Sequence, residues 1–336
     1  MTAKLTSDFL IIGAGLAGLL AARTLTEGAA SVMLVDKGRS VGGRLATRRV
    51  GAGTADHGAQ FFTVRDPEFR ALVEDWDRRG LVFVWSMGWS DGSIAATERD
   101  GHPRYAVKGG LNALAKALSE GLDCRLDAQV TALRRDGDRY TASLADGGSV
   151  SARAVLLTPP VPQSLALLRA GEISLAEDDA AALERIQYDP CVCGLFNIAG
   201  EVFLPEPGAL QRPHAEIAWI ADNHRKGISP NARILTLHAS PAFSRAHYDA
   251  PDSFWVDRFT AELASFMKTD AHIVEAQVKR WRYSQPAALH PERCLIAAGE
   301  RLVFAGDAFG SPRIEGAALS GVAAGRALLT LPAQKA

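Results

Sequence analysis

Long apolar runs, cysteines and net charge are all scarce in this 336-residue chain, and each scarcity removes a class of protein. The longest apolar run, Phe9 to Ala22, is interrupted by three glycines and falls short of the roughly 20 residues a membrane-spanning helix needs. The same glycines argue against a signal-peptide core, so a soluble, cytoplasmic protein with no membrane partner is expected. Four cysteines, Cys124, Cys191, Cys193 and Cys294, are too few and scattered for a disulfide framework. Cys191-Val192-Cys193 has neither CxxC spacing nor a second metal pair, and all four are read as reduced thiols. With 37 Lys+Arg against 38 Asp+Glu, the net charge of −1 gives none of the basic footprint that nucleic-acid binding by counterion release requires. There is no HExxH, no spaced Cys/His cluster and no GxSxG elbow, so neither a metal site nor a hydrolytic serine is expected. Repeats and low-complexity tracts are also missing. What the chain has is 47% hydrophobic residues and a length matching about two domains.

The first motif lies at the start. Asp8 to Ile12 reads as a buried parallel strand, Gly13-Ala14-Gly15-Leu16-Ala17-Gly18 follows at once, and Leu19 to Thr26 reads as helix. Gly13 permits the tight turn, Gly15 lets the backbone approach a pyrophosphate, and Gly18 allows close helix packing while the N-terminal amides face the phosphates. A second strand, Ser31 to Val35, ends in Asp36, whose carboxylate suits ribose hydroxyls, with Lys37 beside it. An ordinary βαβ crossover would leave Asp36 unexplained. The whole context predicts dinucleotide binding.

Gly38-Arg39-Ser40-Val41-Gly42-Gly43-Arg44 then places a glycine doublet and an arginine where a second loop can reach the same pyrophosphate. Here the sequence resembles the flavin-dependent amine oxidase superfamily. The far end agrees: Arg301 to Asp307 reads as a strand ending in Gly306-Asp307, and Ile314-Glu315-Gly316-Ala317 opens a final helix. The resemblance implies non-covalent FAD, with Asp307 at the ribitol or adjoining phosphate and the helix N-terminus at the pyrimidine edge of the ring. A reduced flavin carries negative charge there, which a helix N-terminus stabilises. It also implies Val130 beside the adenine and Thr158 among the cofactor contacts. The two signatures lie nearly 300 residues apart, so the last strand must return to the first sheet.

A narrower resemblance runs through Asp56-His57-Gly58-Ala59-Gln60-Phe61-Phe62, Ala106 to Leu114, Arg280-Trp281-Arg282-Tyr283 and the Gly-Asp-Ala-Phe-Gly ending. These strings are similar to the renalase branch, chiefly its short bacterial members. That resemblance implies an oxidase of the 2- and 6-dihydro isomers of NAD(P)H: a hydride passes to the flavin, β-NAD(P)+ leaves, and dioxygen becomes hydrogen peroxide. His57 to Phe62 would lie along the flavin, and Phe62, Trp219, Asn223, His238 and Trp281 are the substrate-pocket candidates. Arg212, His214, Arg225 and Arg245 are further cations that could meet an anionic dinucleotide, although a solvated surface is the favoured reading of each. Amine-oxidising relatives place a lysine near flavin N5; Lys226, Lys268 and Lys279 are the lysines after Lys116 and before the tail, and Lys226 sits in the polar string His224-Arg225-Lys226-Gly227. None is expected at N5, and the modest aromatic content of the middle segment offers no obvious amine cage. Hydride transfer to a flavin needs no protein nucleophile, so no catalytic acid or base is named. An amine oxidase or another FAD-dependent oxidoreductase, and a non-catalytic flavin-binding redox sensor, are the alternatives. The choice between NAD- and NADP-derived substrate and the oligomeric state are left open.

The fold expected is α/β: a Rossmann-like FAD-binding domain (1–64, 105–160 and 276–332) with an inserted α+β, mixed-sheet substrate domain (65–104 and 161–275). A helix at 66–79 leads into a strand at 81–85 and a turn-rich stretch to Arg104. A helix at 111–120 precedes a meander near 124–134, 139–145 and 149–157, joined by Asp136-Gly137 and Asp146-Gly147-Gly148. Thr158-Pro159-Pro160-Val161-Pro162 cannot continue a strand and is read as a domain crossing. Beyond it come helices at 163–170, 176–186 and 252–268 and strands at 191–198, 215–220, 233–239 and 273–281.

Overall fold

The computed structural model describes residues 4–90 and 100–331, so part of the turn-rich stretch read before Arg104 lies outside the described residues. In chain order the elements begin with β1 (Lys4–Ile12), α1 (Leu16–Glu27), β2 (Val32–Val35), β3 (Thr47–Val50), β4 (Gly53–Asp56), α2 (Pro67–Arg78), β5 (Val82–Ser86), β6 (Arg104–Val107) and α3 (Leu111–Ser119). The middle comprises β7 (Cys124–Arg125), β8 (Val130–Asp136), β9 (Arg139–Leu144), β10 (Ser149–Leu157), α4 (Val161–Ala170) and α5 (Glu177–Glu184). Then come β11 (Gln187–Ala199), β12 (Ala209–Gln211), β13 (Ile217–Asp222), β14 (Arg233–Ala239), α6 (Pro241–Ala246) and α7 (Asp252–Leu263). The chain closes with β15 (His272–Ala288), β16 (Leu295–Ile296), β17 (Leu302–Phe304) and α8 (Arg313–Thr330).

Two compact units result: Met1–Gly43, Ala115–Gln187 and Gln285–Ala336 form the first, Arg44–Leu114 and Tyr188–Ser284 the second. Their bounds differ from those read off the sequence. Residues 44–64 and 105–114 belong to the second unit, because the β3–β4 hairpin packs on that unit's sheet. The prolines at 159–162 end β10 and start α4, and the crossing falls after Gln187.

The first unit is a Rossmann-like α/β layer structure. Its eight-stranded mixed sheet has the order β16-β17-β10-β1-β2-β7, with β8 and β9 attached to β10. β1 runs parallel to β2 and β10, and β17 runs parallel to β10. The last strand thus returns to the first sheet. Leu10, Ile11, Leu34, Val155 and Leu156 are fully buried, as expected of parallel strands covered on both faces. Helices α1 and α8 lie together, and a Cβ at Gly321 would stand 2.3 Å from the Ala17 carbonyl oxygen, so only glycine permits this approach.

The second unit holds a five-stranded sheet ordered β12-β13-β14-β11-β15 and two hairpins, β3–β4 and β5–β6. Pairings β12–β13, β13–β14 and β11–β14 are antiparallel, which corrects the mixed sheet expected for this lobe. Short loops join β12 to β13 and β13 to β14, and such links favour antiparallel neighbours. Side chains alternate across the sheet. Val192 and Phe196 of β11, with Leu235 and Leu237 of β14, pack with Trp255 and Phe259 of α7. Cys193, Leu195 and Ile234 face the other way and pack with Val50 and Ala55 of the hairpin and with Trp281. Burial pushes the Cys191 thiol up to about 12 and raises that of Cys193 well above its ordinary range. Among the described residues no helix is long and apolar enough to cross a membrane.

Candidate functional site

The glycine motif of the first unit forms a turn held on every side. Gly13 has a φ of +102°, its amide donates to the Val35 carbonyl at 2.8 Å, and the Thr158 hydroxyl donates to the carbonyls of Ile12 and Gly13 at 2.9 and 3.0 Å. The second loop closes against the first, with the Gly42 amide donating to the Ala14 carbonyl at 2.8 Å. Asp36 fastens both loops. Its Oδ2 accepts from the Ala14 amide at 2.7 Å and its Oδ1 from the Gly38 amide at 2.6 Å. This carboxylate is therefore a hinge pin of the turn as well as the acid expected at a ribose.

Around this turn the space is open where a ligand needs it. No atom lies within 4 Å of the Cβ position of Gly15, which is the N-cap of α1 and has no side-chain cap. Gly43 would meet only the Gly15 Cα and Gly306 only the Thr158 carbonyl oxygen, both beyond 3.4 Å. Elsewhere the glycines are tight: a Cβ at Gly18 would lie 2.0 Å from the Gly13 carbonyl oxygen and one at Gly316 1.6 Å from that of Ser311. Unsatisfied amides at a helix N-terminus beside an open cradle form an anion site. Leu16 and Ala17 are buried behind it, and Val130 is buried opposite Leu144. Gly306 donates to the Ser320 hydroxyl at 2.8 Å, Asp307 is buried next to it, and Ile314, Glu315, Gly316 and Ala317 make the first turn of α8. Lys37 is exposed, its amine 3.5 Å from the Gln163 side-chain oxygen.

In the second unit the string after β4 is clamped by a buried ion pair that the sequence reading missed. Lys226 and Asp56 are fully buried; the amine lies 2.6 Å from Asp56 Oδ2 and donates to the Gln60 carbonyl at 2.6 Å. Asp56 Oδ1 accepts from the Thr47 hydroxyl at 2.5 Å and the Leu111 amide at 2.8 Å. Gln60 Nε2 returns to the carbonyls of Asp56 and Gly58 at 2.9 and 3.1 Å. Gly58 itself must be glycine, since a Cβ would fall 2.1 Å from the Arg44 carbonyl oxygen. The turn expected around Lys226 is present, but its side chain points inward, and burial lowers its pKa against the pull of Asp56.

Two substrate candidates belong to this scaffold. Asn223 is fully buried; its amide donates to the Ile234 carbonyl and the Thr236 hydroxyl, both at 2.9 Å, and its oxygen accepts from the Asp56 amide at 3.3 Å. Phe62 is 4% exposed, stacked on Tyr105 and edge-on to Phe69 and Trp76, in the hydrophobic core. Asn223 thus has its donors and acceptor filled within the protein, and Phe62 is enclosed by aromatic rings. Trp219 donates to the Gln60 side-chain oxygen at 3.4 Å and joins Phe61, Trp85 and Trp89, with ring centroids 5.0 Å apart for Trp89–Trp219 and 4.8 Å for Trp85–Trp89. Aromatics are few in the sequence, yet four meet here. The cage already has its cation, Lys226, whose amine lies 4.8 Å from the Trp85 ring centroid.

The structure brings the remaining candidates together on the hairpin side of the sheet. His57 stacks on Trp281 with ring centroids 5.3 Å apart, Trp281 Nε1 donates to the His57 carbonyl at 2.8 Å, and the His238 ring lies beside the His57 backbone. His57 Nδ1 and His238 Nε2 are buried without a partner. Burial first, then the positive charge of Arg48, holds His57 at about 4; burial does the same to His238. Both imidazoles are neutral at pH 7. The unfolded chain binds protons at its ordinary histidine value near 6.5, which the folded state refuses until about 4, so stability falls as pH drops through that window. Denaturant unfolding at pH 7.5 and 4.5 should differ by on the order of 3 kcal/mol after discounting His57's partial exposure. Equal stabilities would contradict two rings held neutral in the fold.

The other candidate cations are engaged. Arg212 pairs with Glu262 at 2.6 Å, Arg225 with Glu206 and Arg245 with Asp189, while His214 is exposed. Arg44 donates to the carbonyls of Tyr283 and Ser284, at 3.3 and 3.1 Å.

Comparison with known proteins fits this geometry. Residues 11–76 match the NAD(P)-binding Rossmann-like domain, and residues 78–329 match flavin containing amine oxidoreductase. A phytoene dehydrogenase of Streptomyces griseus is 39% identical over 69 residues, 19% of this chain and 14% of that protein. The chain therefore aligns with only a small part of that relative's length. The fold is shared with putrescine oxidase: an A394C mutant superposes with a TM-score of 0.73 at 15% identity, covering 97% of this chain and 99% of that one. The wild-type enzyme bound to putrescine gives 0.72 at 15% identity, with 98% and 100% covered. With a Rossmann glycine cradle at its start and a family match running through most of the rest, the chain belongs to the flavin containing amine oxidoreductase family, whose members use FAD.

Proposed function

We propose that this protein is an FAD-dependent oxidase of dihydronicotinamides, converting the 2- and 6-dihydro isomers of NAD(P)H to β-NAD(P)+ while dioxygen is reduced to hydrogen peroxide. FAD would be held by Gly13 to Gly18, Asp36, Gly42, Gly43, Gly306, Asp307 and the first turn of α8. When bound, it supplies hydride acceptance and reoxidation by dioxygen. The open space at Gly15 and the uncapped N-terminus of α1 fit its pyrophosphate.

The observation carrying the substrate reading is the neutral cluster formed by His57 stacked on Trp281, with His238 beside the His57 backbone. Oxidising a dihydronicotinamide removes a hydride and no proton, so the chemistry asks for no proton transfer from these weakly basic rings. The stacked rings offer a flat surface to a flat heterocycle. A cationic ammonium substrate is disfavoured at this face, which has the positive Arg48 and Lys279 as neighbours. The buried clamp on residues 56–60 keeps the face rigid, which favours a fixed reactive orientation.

Anaerobic mixing of purified holoprotein with each dihydro isomer should bleach the flavin, and in air each turnover should release one peroxide. Bleaching by putrescine or other amines alone would replace the reading with amine oxidation, and bleaching by neither would leave a non-catalytic flavoprotein.

A further inference from the structure

We propose that Arg48 and Lys279 form an oxyanion-binding subsite in the second unit, built to receive a phosphate or carboxylate group of the ligand. The topology places them together. Arg48 lies on the same side of the hairpin as Val50, two residues on, and its partner across the ladder is Ala55; Val50 and Ala55 pack on Cys193, Leu195 and Trp281. Lys279 is two residues before Trp281 on β15 and so shares that face, beside Cys193 of the neighbouring strand. His238 is directly opposite Cys193 in the β11–β14 ladder. Arg48, Lys279, His57, His238 and Trp281 therefore border one patch, and each is partly exposed.

The patch carries two positive charges with no ion-pair partner of their own. Neither Arg48 nor Lys279 makes a salt bridge among the described residues, and the Arg48 Nε is buried with no hydrogen-bond partner. Arg48 depresses the pKa values of both His57 and Lys279, so the positive groups act on one another. The nearby acids are occupied. Asp252 acts on Lys279 but is paired with Arg280 at 2.5 Å. Glu275 shares the face, but it accepts from Gln277 at 2.7 Å and stands four strand residues from Lys279, about 13 Å along the strand. Two cations that repel each other and a buried guanidinium nitrogen with nothing to bind are what an oxyanion would satisfy; a guanidinium fork suits phosphate and carboxylate alike.

This deepens the proposed function and rests on it only for the identity of the substrate that brings the anion. The test uses the FAD-loaded protein and two small dianions, inorganic pyrophosphate and malonate, followed by calorimetry and by NMR titration of the His57 ring. Binding by either is expected to raise the His57 titration midpoint from about 4 by a unit or more, because an anion offsets its positive neighbours. Tighter pyrophosphate binding would assign the subsite to a phosphate, and tighter malonate binding to a carboxylate. Arg48→Gln and Lys279→Met should each weaken binding at least tenfold, and Lys268→Gln, in an exposed pair with Glu201, should not. No binding by either dianion, or equal binding by wild type and both variants, would overturn the subsite. Binding by a protein that bleaches with no dihydronicotinamide would uphold it and sink the substrate reading instead.

Discussion

Lys226→Met should lower the unfolding free energy of the protein by about 3–5 kcal/mol, because it leaves the Asp56 carboxylate buried without its charge partner. Both side chains are fully buried, and Oδ1 is already filled by Thr47 and the Leu111 amide. The Gln60 carbonyl also loses its donor. In the double variant Asp56→Asn, Lys226→Met the charge is gone and the asparagine oxygen still accepts from Thr47 and Leu111, so at least half of the loss should return. Urea unfolding followed by tryptophan fluorescence measures both. A single-variant loss under about 1 kcal/mol would mean that the pair is not desolvated.

Gly15→Val should abolish copurification of FAD, weakening its binding by 100-fold or more, about 2.7 kcal/mol. The backbone there is extended (φ −74°, ψ 179°), a conformation valine adopts freely, and no protein atom lies within 4 Å of the new Cβ. The apoprotein should therefore fold and melt as before. The isopropyl group instead fills the space through which a pyrophosphate reaches the α1 amides. Gly18→Ala is a contrasting control, since its Cβ would strike the Gly13 carbonyl oxygen and lower stability whether or not FAD is present. Normal FAD affinity in Gly15→Val would show that the cradle is not where the cofactor's phosphates lie.

The nucleotide half was legible because its chemistry is local: the glycine turn, its strand and Asp36 lie within one βαβ stretch, and backbone geometry forces those residue types. The returning C-terminal strand was legible from its Gly306-Asp307 ending, read through the family resemblance, and β17 does pair parallel to β10. Lys226 was not. It lies in a polar turn, and its partner Asp56 is 170 residues away, a separation no local pattern reports. The same distance hid the fate of Asn223, whose donors end on Ile234 and Thr236 and whose acceptor meets Asp56. Phe62 was placed at the ligand because a polar string surrounds it, whereas α2 and β6 bury it among Phe69, Trp76 and Tyr105. The β3–β4 hairpin also escaped notice, since Thr47-Arg48-Arg49-Val50 carries little apolar alternation.

The two thiols of β11 acquire a meaning from the proposed turnover. An enzyme that releases peroxide is exposed to its own product, and peroxide attacks thiolate rather than thiol. Cys191 and Cys193 are sealed in the sheet, and burial raises both thiols and so disfavours the reactive thiolate. Under the proposed turnover, β11, which lies between β14 and β15 in its sheet, is thereby expected to be shielded from self-inflicted oxidation.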